Sequence, residues 1–364
     1  MKRAISFLFV LFFFGSSFVF SSDKPKNIII MIGDGMGLNY VSTSVLTDSS
    51  SPFFKFKSIG LSITRSLDNL ITDSGAGGTA ISTGYKVPNK AIAKATAEND
   101  YHSVFTVAKS LGKSTGLAVT STITHATPAA FYANVMNRSE EKVIANQLVK
   151  TEVDVAIGGG TKFFTPLSKG GVRDDEKDLI AELSAKGYTT ISDFNALKNV
   201  DSEKIIALLE FDALKPAAER SYSLKELVAS AIKNLSKNEN GFVLMVEGSQ
   251  IDWAGHNHQS DYLLSELNDF AEAVDYAYQF VKDDGNSLLV VTADHETGGM
   301  AITGGKRGGE DLKFSFTTKG HSAEMVGVFA FGQGEDTFKG VYENNMIGRK
   351  MINLFDPNFR WDTP

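Results

Sequence analysis

The sequence contains no cysteine. That excludes disulfides, thiolate metal sites and lipid attachment behind an N-terminal leader, so any bound metal has to be held by His, Asp and Glu. Proline is scarce, 8 in 364 residues, and no Pro-rich linker divides the chain. An excess of positive charge is lacking too, with 36 Lys and Arg against 43 Asp and Glu for a formal charge of −7. Bulk electrostatics therefore argue against a binder of nucleic-acid backbones. An acidic protein that handles anions must supply positive charge locally, and metal ions are one way to do so. Histidine is also rare, six in all, so each can be weighed singly.

Only one run approaches membrane-spanning length. Lys2 and Arg3 precede an apolar stretch from Ile5 to Phe20, followed by Ser21, Ser22 and Asp23. A basic head, an apolar core and small residues form the pattern of a secretory signal peptide, expected over residues 1–22. The run falls short of the roughly 20 residues that cross a bilayer, which favours cleavage over a retained anchor. The expectation is an exported protein, periplasmic or extracellular, with no stable membrane span after processing and residues 23–364 forming one domain.

Within that domain, short apolar runs alternate with amphipathic stretches. Asn27–Ile32, Gly116–Thr120, Val153–Ile157, Gly241–Val246 and Ser287–Ala293 read as strands bounded by Gly, Asp or Asn. Helical patterns fall near Asp174–Lys186, Ser223–Leu235, Tyr262–Lys282 and Asn345–Leu354. Continuous apolar strands separated by helices predict an α/β fold, a large central mostly parallel sheet sandwiched by helices. Segments 161–222 and 301–320 are weakly periodic and read as small insertions outside the sheet. No internal repeat is present.

Three of these strands run into acidic residues: Asp34 within Gly33-Asp34-Gly35-Met36-Gly37, Glu247 before Gly248, and Asp294 before His295. In open α/β sheets ligands sit beyond the carboxyl ends of the strands. Carboxylates gathered there from distant parts of the chain repel one another unless a cation lies between them. A dinucleotide loop is the alternative for residues 33–37. Its spacing is not G-x-G-x-x-G, and Asp34 would turn a negative charge on the pyrophosphate. Asp252 and His256, four apart, share a face if their segment is helical, as a common metal requires. His321 sits in a glycine-bounded turn before the apolar run Met325–Phe331. His102 and His258 have no such context.

Thr72-Asp73-Ser74-Gly75-Ala76 suits a helix N-terminus, where backbone N–H groups would face whatever Ser74 attacks. The plainer reading is an ordinary helix cap. No G-x-S-x-G surrounds Ser74, which disfavours an esterase elbow. Arg138 gains meaning only where these groups converge, because its planar fork can hold two phosphate oxygens.

Taken together the chain resembles the alkaline phosphatase family, especially its compact bacterial members. The motifs carrying the likeness are Gly33–Gly37, Thr72–Ala76, Thr124–Ala129, Val246–Asp252, Thr292–Gly299 and Gly320–Ser322, in family order. The resemblance implies a hydrolase of phosphate monoesters with two zinc ions and one magnesium, broad in substrate and releasing inorganic phosphate. Asp252, His256 and His321 look like ligands of the first zinc. Asp34, Asp294 and His295 look like ligands of the second, to which Ser74 also binds. Asp34 would bridge to magnesium, completed by Thr127 and Glu247. Arg138 matches the arginine that clamps phosphoryl oxygens. His125 stands where some members have Asp, and Trp253 where some have Lys or His; both are expected beside the substrate. A homodimer is the family's common assembly. The rivals are a phosphodiesterase of the same superfamily and a non-catalytic carrier of metal or phosphate.

Overall fold

The computed structural model describes residues 24–361, so the signal-peptide reading of residues 1–22 lies outside the described residues. Fourteen strands occur among these: β1 Asn27–Gly33, β2 Ser58–Ile63, β3 Ser114–Thr122, β4 Val155–Gly159, β5 Thr189–Ile191, β6 Ile205–Leu208, β7 Phe242–Gly248, β8 Ser287–Thr292, β9 Glu296–Thr297, β10 Met300–Gly304, β11 Lys313–Phe316, β12 His321–Ser322, β13 Val326–Gly332 and β14 Gly340–Glu343. Ten form one sheet in the order β14-β2-β13-β8-β1-β7-β3-β4-β6-β5. Only β13 runs antiparallel to its neighbours.

The middle of the sheet is apolar because it is covered twice. Along β1, Ile28, Ile30 and Ile32 enter the core on one face, while Ile29 and Met31 enter the core on the other. A strand buried on both sides has no polar positions to spare, hence the unbroken run Ile28–Ile32. On the second face lies a helix from Ser260 to Asp284 whose Leu263, Leu267, Phe270, Val274, Ala277 and Val281 recur at spacings of three, four and seven and are buried. A helix from Leu224 to Leu235 packs beside it. It begins with a capping box in which Ser223 and Glu226 satisfy each other's backbone N–H groups. The first face carries the helices Ser74–Thr83 and Asn345–Phe355, which contact each other.

Register decides where the site is. Ile32 pairs with Glu247 on one side and with Thr292 on the other, so β1, β7 and β8 end at one level. Asp34, Glu247 and the pair Asp294-His295 therefore emerge together at the carboxyl edge of the three central strands.

Two expectations need correcting. The stretch 161–222 is not wholly outside the sheet, because β5 and β6 extend it beyond β4. The helix expected from Asp174 starts only at Leu179, capped by Asp178. Residues before it are held as a loop by Arg173, which is buried and bonded to Asp175, Asn146 and the carbonyls of Lys142 and Phe163. The stretch 301–320 does lie apart, most of it in the two-stranded hairpin β10–β11. Among the described residues no helix is long and apolar enough to cross a membrane.

Candidate metal centre and nucleophile

Ser74 is the first residue of the helix Ser74–Thr83, and Asp73 caps that helix by accepting from Ala76 N–H at 3.0 Å. Every residue of the helix is buried, and its small side chains are what allow close approach. A Cβ added at Gly77 would stand 3.1 Å from the Asp294 side chain, and one at Gly78 would stand 3.2 Å from Thr127 Cα. The helix thus brings the Ser74 hydroxyl to 3.2 Å from His295 Nε2. The positive end of the helix dipole faces the same space.

Around that hydroxyl the potential ligands fall into three groups: Asp252 with His256 and His321, Asp34 with Asp294 and His295, and Asp34 with His125 and Glu247. In the first, Asp252 and His256 share a face of the helix Gln250–Asn257, as their spacing predicts. His256 Nδ1 donates to the Lys319 carbonyl at 2.5 Å and His321 Nδ1 to that of Thr72 at 2.8 Å. With those protons fixed, both Nε2 atoms turn lone pairs inward, 3.2 Å apart and 3.3 and 3.6 Å from Asp252 Oδ1. Such convergence of acceptors requires a cation, whether proton or metal. The hydrogen bond to Asp252 raises the His256 pKa to about 9, against the pull of burial. Burial works to raise Asp252 as well, but the His256 bond and the nearby imidazoles hold it below the usual carboxylate range.

In the second group the carboxyls behave oppositely. Burial, then the charges of Asp294, Asp252 and Glu247, push Asp34 well up; burial and Asp252 lift Asp294 to about 6. Asp294 Oδ1 accepts from the N–H groups of Gly35 and His295 at 3.2 and 3.0 Å. Asp34 Oδ1 and Asp294 Oδ2 have no hydrogen-bond partner although both are fully buried. They face His295 Nε2 at 3.5 and 3.2 Å. Burial drives the His295 imidazole well below its ordinary value, so it is neutral and suited to ligation.

The third group repeats the pattern. Ser249 and Ser121 hydroxyls donate to Glu247 Oε2 at 2.6 and 3.1 Å, while Glu247 Oε1 stays without a partner. Burial outweighs those bonds and lifts Glu247 to about 7. Thr127 donates to Asp34 Oδ2 at 3.4 Å. His125 accepts from Arg138 Nη2 on Nε2 at 3.2 Å, and its buried Nδ1 has no partner. Burial and Arg138 push it down to about 3. Partnerless buried oxygens and nitrogens cost free energy on the order of 1–3 kcal/mol each, more when charged. Here three of them, the carboxylate oxygens Asp34 Oδ1, Asp294 Oδ2 and Glu247 Oε1, lie in the ligand groups as free acceptors, so the residues fit bound divalent ions.

Arg138 reaches the same space from a loop, anchored by Asp73 Oδ2 at 3.1 Å. Trp253 stands edge-on to His125, ring centres 6.2 Å apart. All twelve residues singled out in the sequence lie in this one region. His258, given no role, bonds the Thr318 carbonyl and stacks on Phe316. Sequence reasoning missed the supports: Asp73 for Arg138, Ser121 and Ser249 for Glu247, and Thr297, whose hydroxyl meets Asp252 and His295. The one signal for Asp73, Ser249 and Thr297 was their position inside the motifs, and Ser121 stands three residues before one.

A family model described as Alkaline phosphatase matches residues 25–315. Alkaline phosphatase 4 of Bacillus subtilis is 38% identical over 296 residues, covering 76% of this chain and 62% of that protein. Alkaline phosphatase 3 of the same organism is 39% identical over 303 residues, 78% of this chain and 63% of its own length. The chain thus spans little more than three fifths of these curated relatives. The solved alkaline phosphatase of the Antarctic bacterium TAB5 superposes with a TM-score of 0.85 at 39% identity, covering 92% of this chain and 100% of that one. A histidine-to-glutamate variant of that enzyme, with magnesium bound in its M3 site, aligns at 37% identity and TM-score 0.84 over 93% of this chain and 99% of that one.

Proposed function

The chain belongs to the alkaline phosphatase family, and from that premise we propose that it hydrolyses phosphate monoesters through a phosphoserine on Ser74. The observation carrying this reading is the Ser74 hydroxyl at a buried helix N-terminus, 3.2 Å from His295 Nε2 and beside partnerless carboxylate oxygens of Asp34 and Asp294. Two zinc ions are assigned to Asp252, His256 and His321 and to Asp34, Asp294, His295 and Ser74. Magnesium is assigned to Asp34, Thr127 and Glu247 with His125 beside it. When bound, these ions neutralise the carboxylates, polarise phosphoryl oxygens and acidify the serine hydroxyl and a water.

The chain's own groups do the rest. Ser74 Oγ, its proton given up to solvent, attacks phosphorus in line, forming the Oγ–P bond as the ester P–O bond breaks, and the departing alkoxide takes an equivalent proton from solvent. Water then attacks from the opposite side, regenerating Ser74 and releasing inorganic phosphate. Arg138 spans two phosphoryl oxygens, its fork aimed by Asp73 and His125. His125 is proposed as the counterpart of the histidine replaced in the Antarctic variant. An imidazole there supplies less negative charge to magnesium than a carboxylate would. Trp253 cannot offer phosphate a charge, which favours product release. No group grips the alcohol portion, so the substrate range is broad. Residues 23–364 are read as one catalytic domain, exported after loss of residues 1–22 and assembled as a homodimer.

Ser74→Ala tests the core of the proposal. Turnover of a phosphomonoester should collapse while metal content is retained, and full activity in the variant excludes the phosphoserine. Faster hydrolysis of a diester than a monoester by the unaltered protein would point to the phosphodiesterase reading. A metal-replete protein inactive on both esters would point to a carrier.

A further inference from the structure

Ligation by His295 needs a lone pair rather than a proton on Nε2, the nitrogen that faces the nucleophile. We propose that Thr297 is a positioning residue whose single hydroxyl links the two zinc sites, accepting from His295 Nδ1–H and donating to Asp252 Oδ1. The inference rests on the zinc assignment above.

The direction of the chain follows from counting hydrogens. Thr297 Oγ1 lies in hydrogen-bond contact with Asp252 Oδ1 and 3.3 Å from His295 Nδ1. An ionised carboxylate only accepts, so the one hydroxyl proton goes to Asp252. Oγ1 then has only lone pairs for His295, whose proton must sit on Nδ1. Nε2 is left bare, and it is Nε2 that faces Ser74 Oγ, Asp34 and Asp294. Removing the hydroxyl removes the acceptor that holds the Nδ1–H and, with it, the orientation of the ring.

The fold confines Thr297 from every side. Its N–H donates to the Gly35 carbonyl at 3.1 Å, tying it to the loop that bears Asp34. Its carbonyl accepts from Tyr40 Oη at 2.5 Å. In the β9–β12 pair it stands opposite His321. A Cβ at Gly35, where φ is +72°, would lie 2.6 Å from Thr297 Oγ1; one at Gly255 would lie 3.1 Å from its methyl group. Hydroxyl and methyl therefore fill the room left by the missing side chains of Gly35 and Gly255. One residue thus touches ligands of both sites by side chain and strand pairing.

A support serving one site loosens one ion, whereas a link loosens two. Thr297→Val keeps the shape and removes the hydroxyl; Thr297→Ser keeps the hydroxyl and removes the methyl. Zinc release to a competing chelator should become easier by about tenfold or more for both zinc ions in the Val variant, and stay near the parent values in the Ser variant. Loosening of one ion only, or equal loosening in both variants, overturns the proposal. A measurement on the unaltered zinc-loaded protein needs no variant to fold: nitrogen-15 imidazole spectra should show the His295 Nδ1–H as a hydrogen-bonded proton in slow exchange, and an Nδ1–H exchanging freely with water would refute the link. None of these readouts uses turnover, so an inactive or misassigned enzyme fails at Ser74→Ala instead.

Discussion

Metal uptake by the metal-free protein should expel protons, and the number can be worked from the site. At pH 7 a His256 raised to about 9 holds nearly a whole proton, Glu247 near 7 about half, and Asp294 near 6 about a tenth. Together these groups carry about 1.5 protons, and Asp34, pushed up by burial and its carboxylate neighbours, adds to that. The same side chains at ordinary values would carry about 0.2, nearly all on the histidine. Ligation needs them deprotonated, so about 1.5 protons leave as the ions enter, against about 0.2 from unperturbed side chains. The sign is fixed: raised values mean that a higher pH removes competing protons and strengthens binding. The combined affinity should climb more than about tenfold per pH unit around neutrality. Calorimetric titration with zinc and magnesium in buffers of different protonation enthalpy counts the protons directly. Release of fewer than about 0.5 per protein at pH 7 would refute the argument that these carboxyls await a cation.

Other perturbations act on the supports. Gly77→Ala inserts a methyl 3.1 Å from the Asp294 side chain and carbonyl. It should push the helix bearing Ser74 away from the metal ligands and cost about tenfold or more in kcat/KM, read in a steady-state phosphomonoester assay. Ser249→Ala deletes the 2.6 Å donor to Glu247 and the acceptor for Ser121 N–H. Magnesium affinity, measured by reactivation of magnesium-depleted protein, should fall by about tenfold with zinc binding unchanged. Phe270→Ala empties a fully buried site against Gly248 and should cost about 3–5 kcal/mol in urea unfolding.

How much of this was legible in the sequence depended on whether chemistry or direction was being asked for. β1, β7 and β8 were readable because burial on both faces permits only apolar residues. β2 was not, since its pattern is inverted: Ser58, Gly60 and Ser62 face inward while Ile59 is 47% exposed. The inward side has no room for more, as a Cβ at Gly60 would meet the Phe338 carbonyl at 2.2 Å, and Ser58 bonds Asp336 there. β5 escaped notice because an edge strand of three residues with Thr189 and Thr190 exposed carries almost no periodic signal. The acids and histidines stood out because such residues seldom end buried strands without a cation to hold. Their supports did not, because Ser, Thr and Asp are common and mean something only when the fold fixes where they point. Thr297 illustrates the difference. A threonine hydroxyl on a surface has water on every side and carries no information, whereas here the bare backbones of Gly35 and Gly255 admit the side chain, and a carboxylate and an imidazole are its partners. The role of such a residue is therefore written in its neighbours' lack of side chains, a signal spread along the chain between Gly35 and Gly255 that no local pattern gathers.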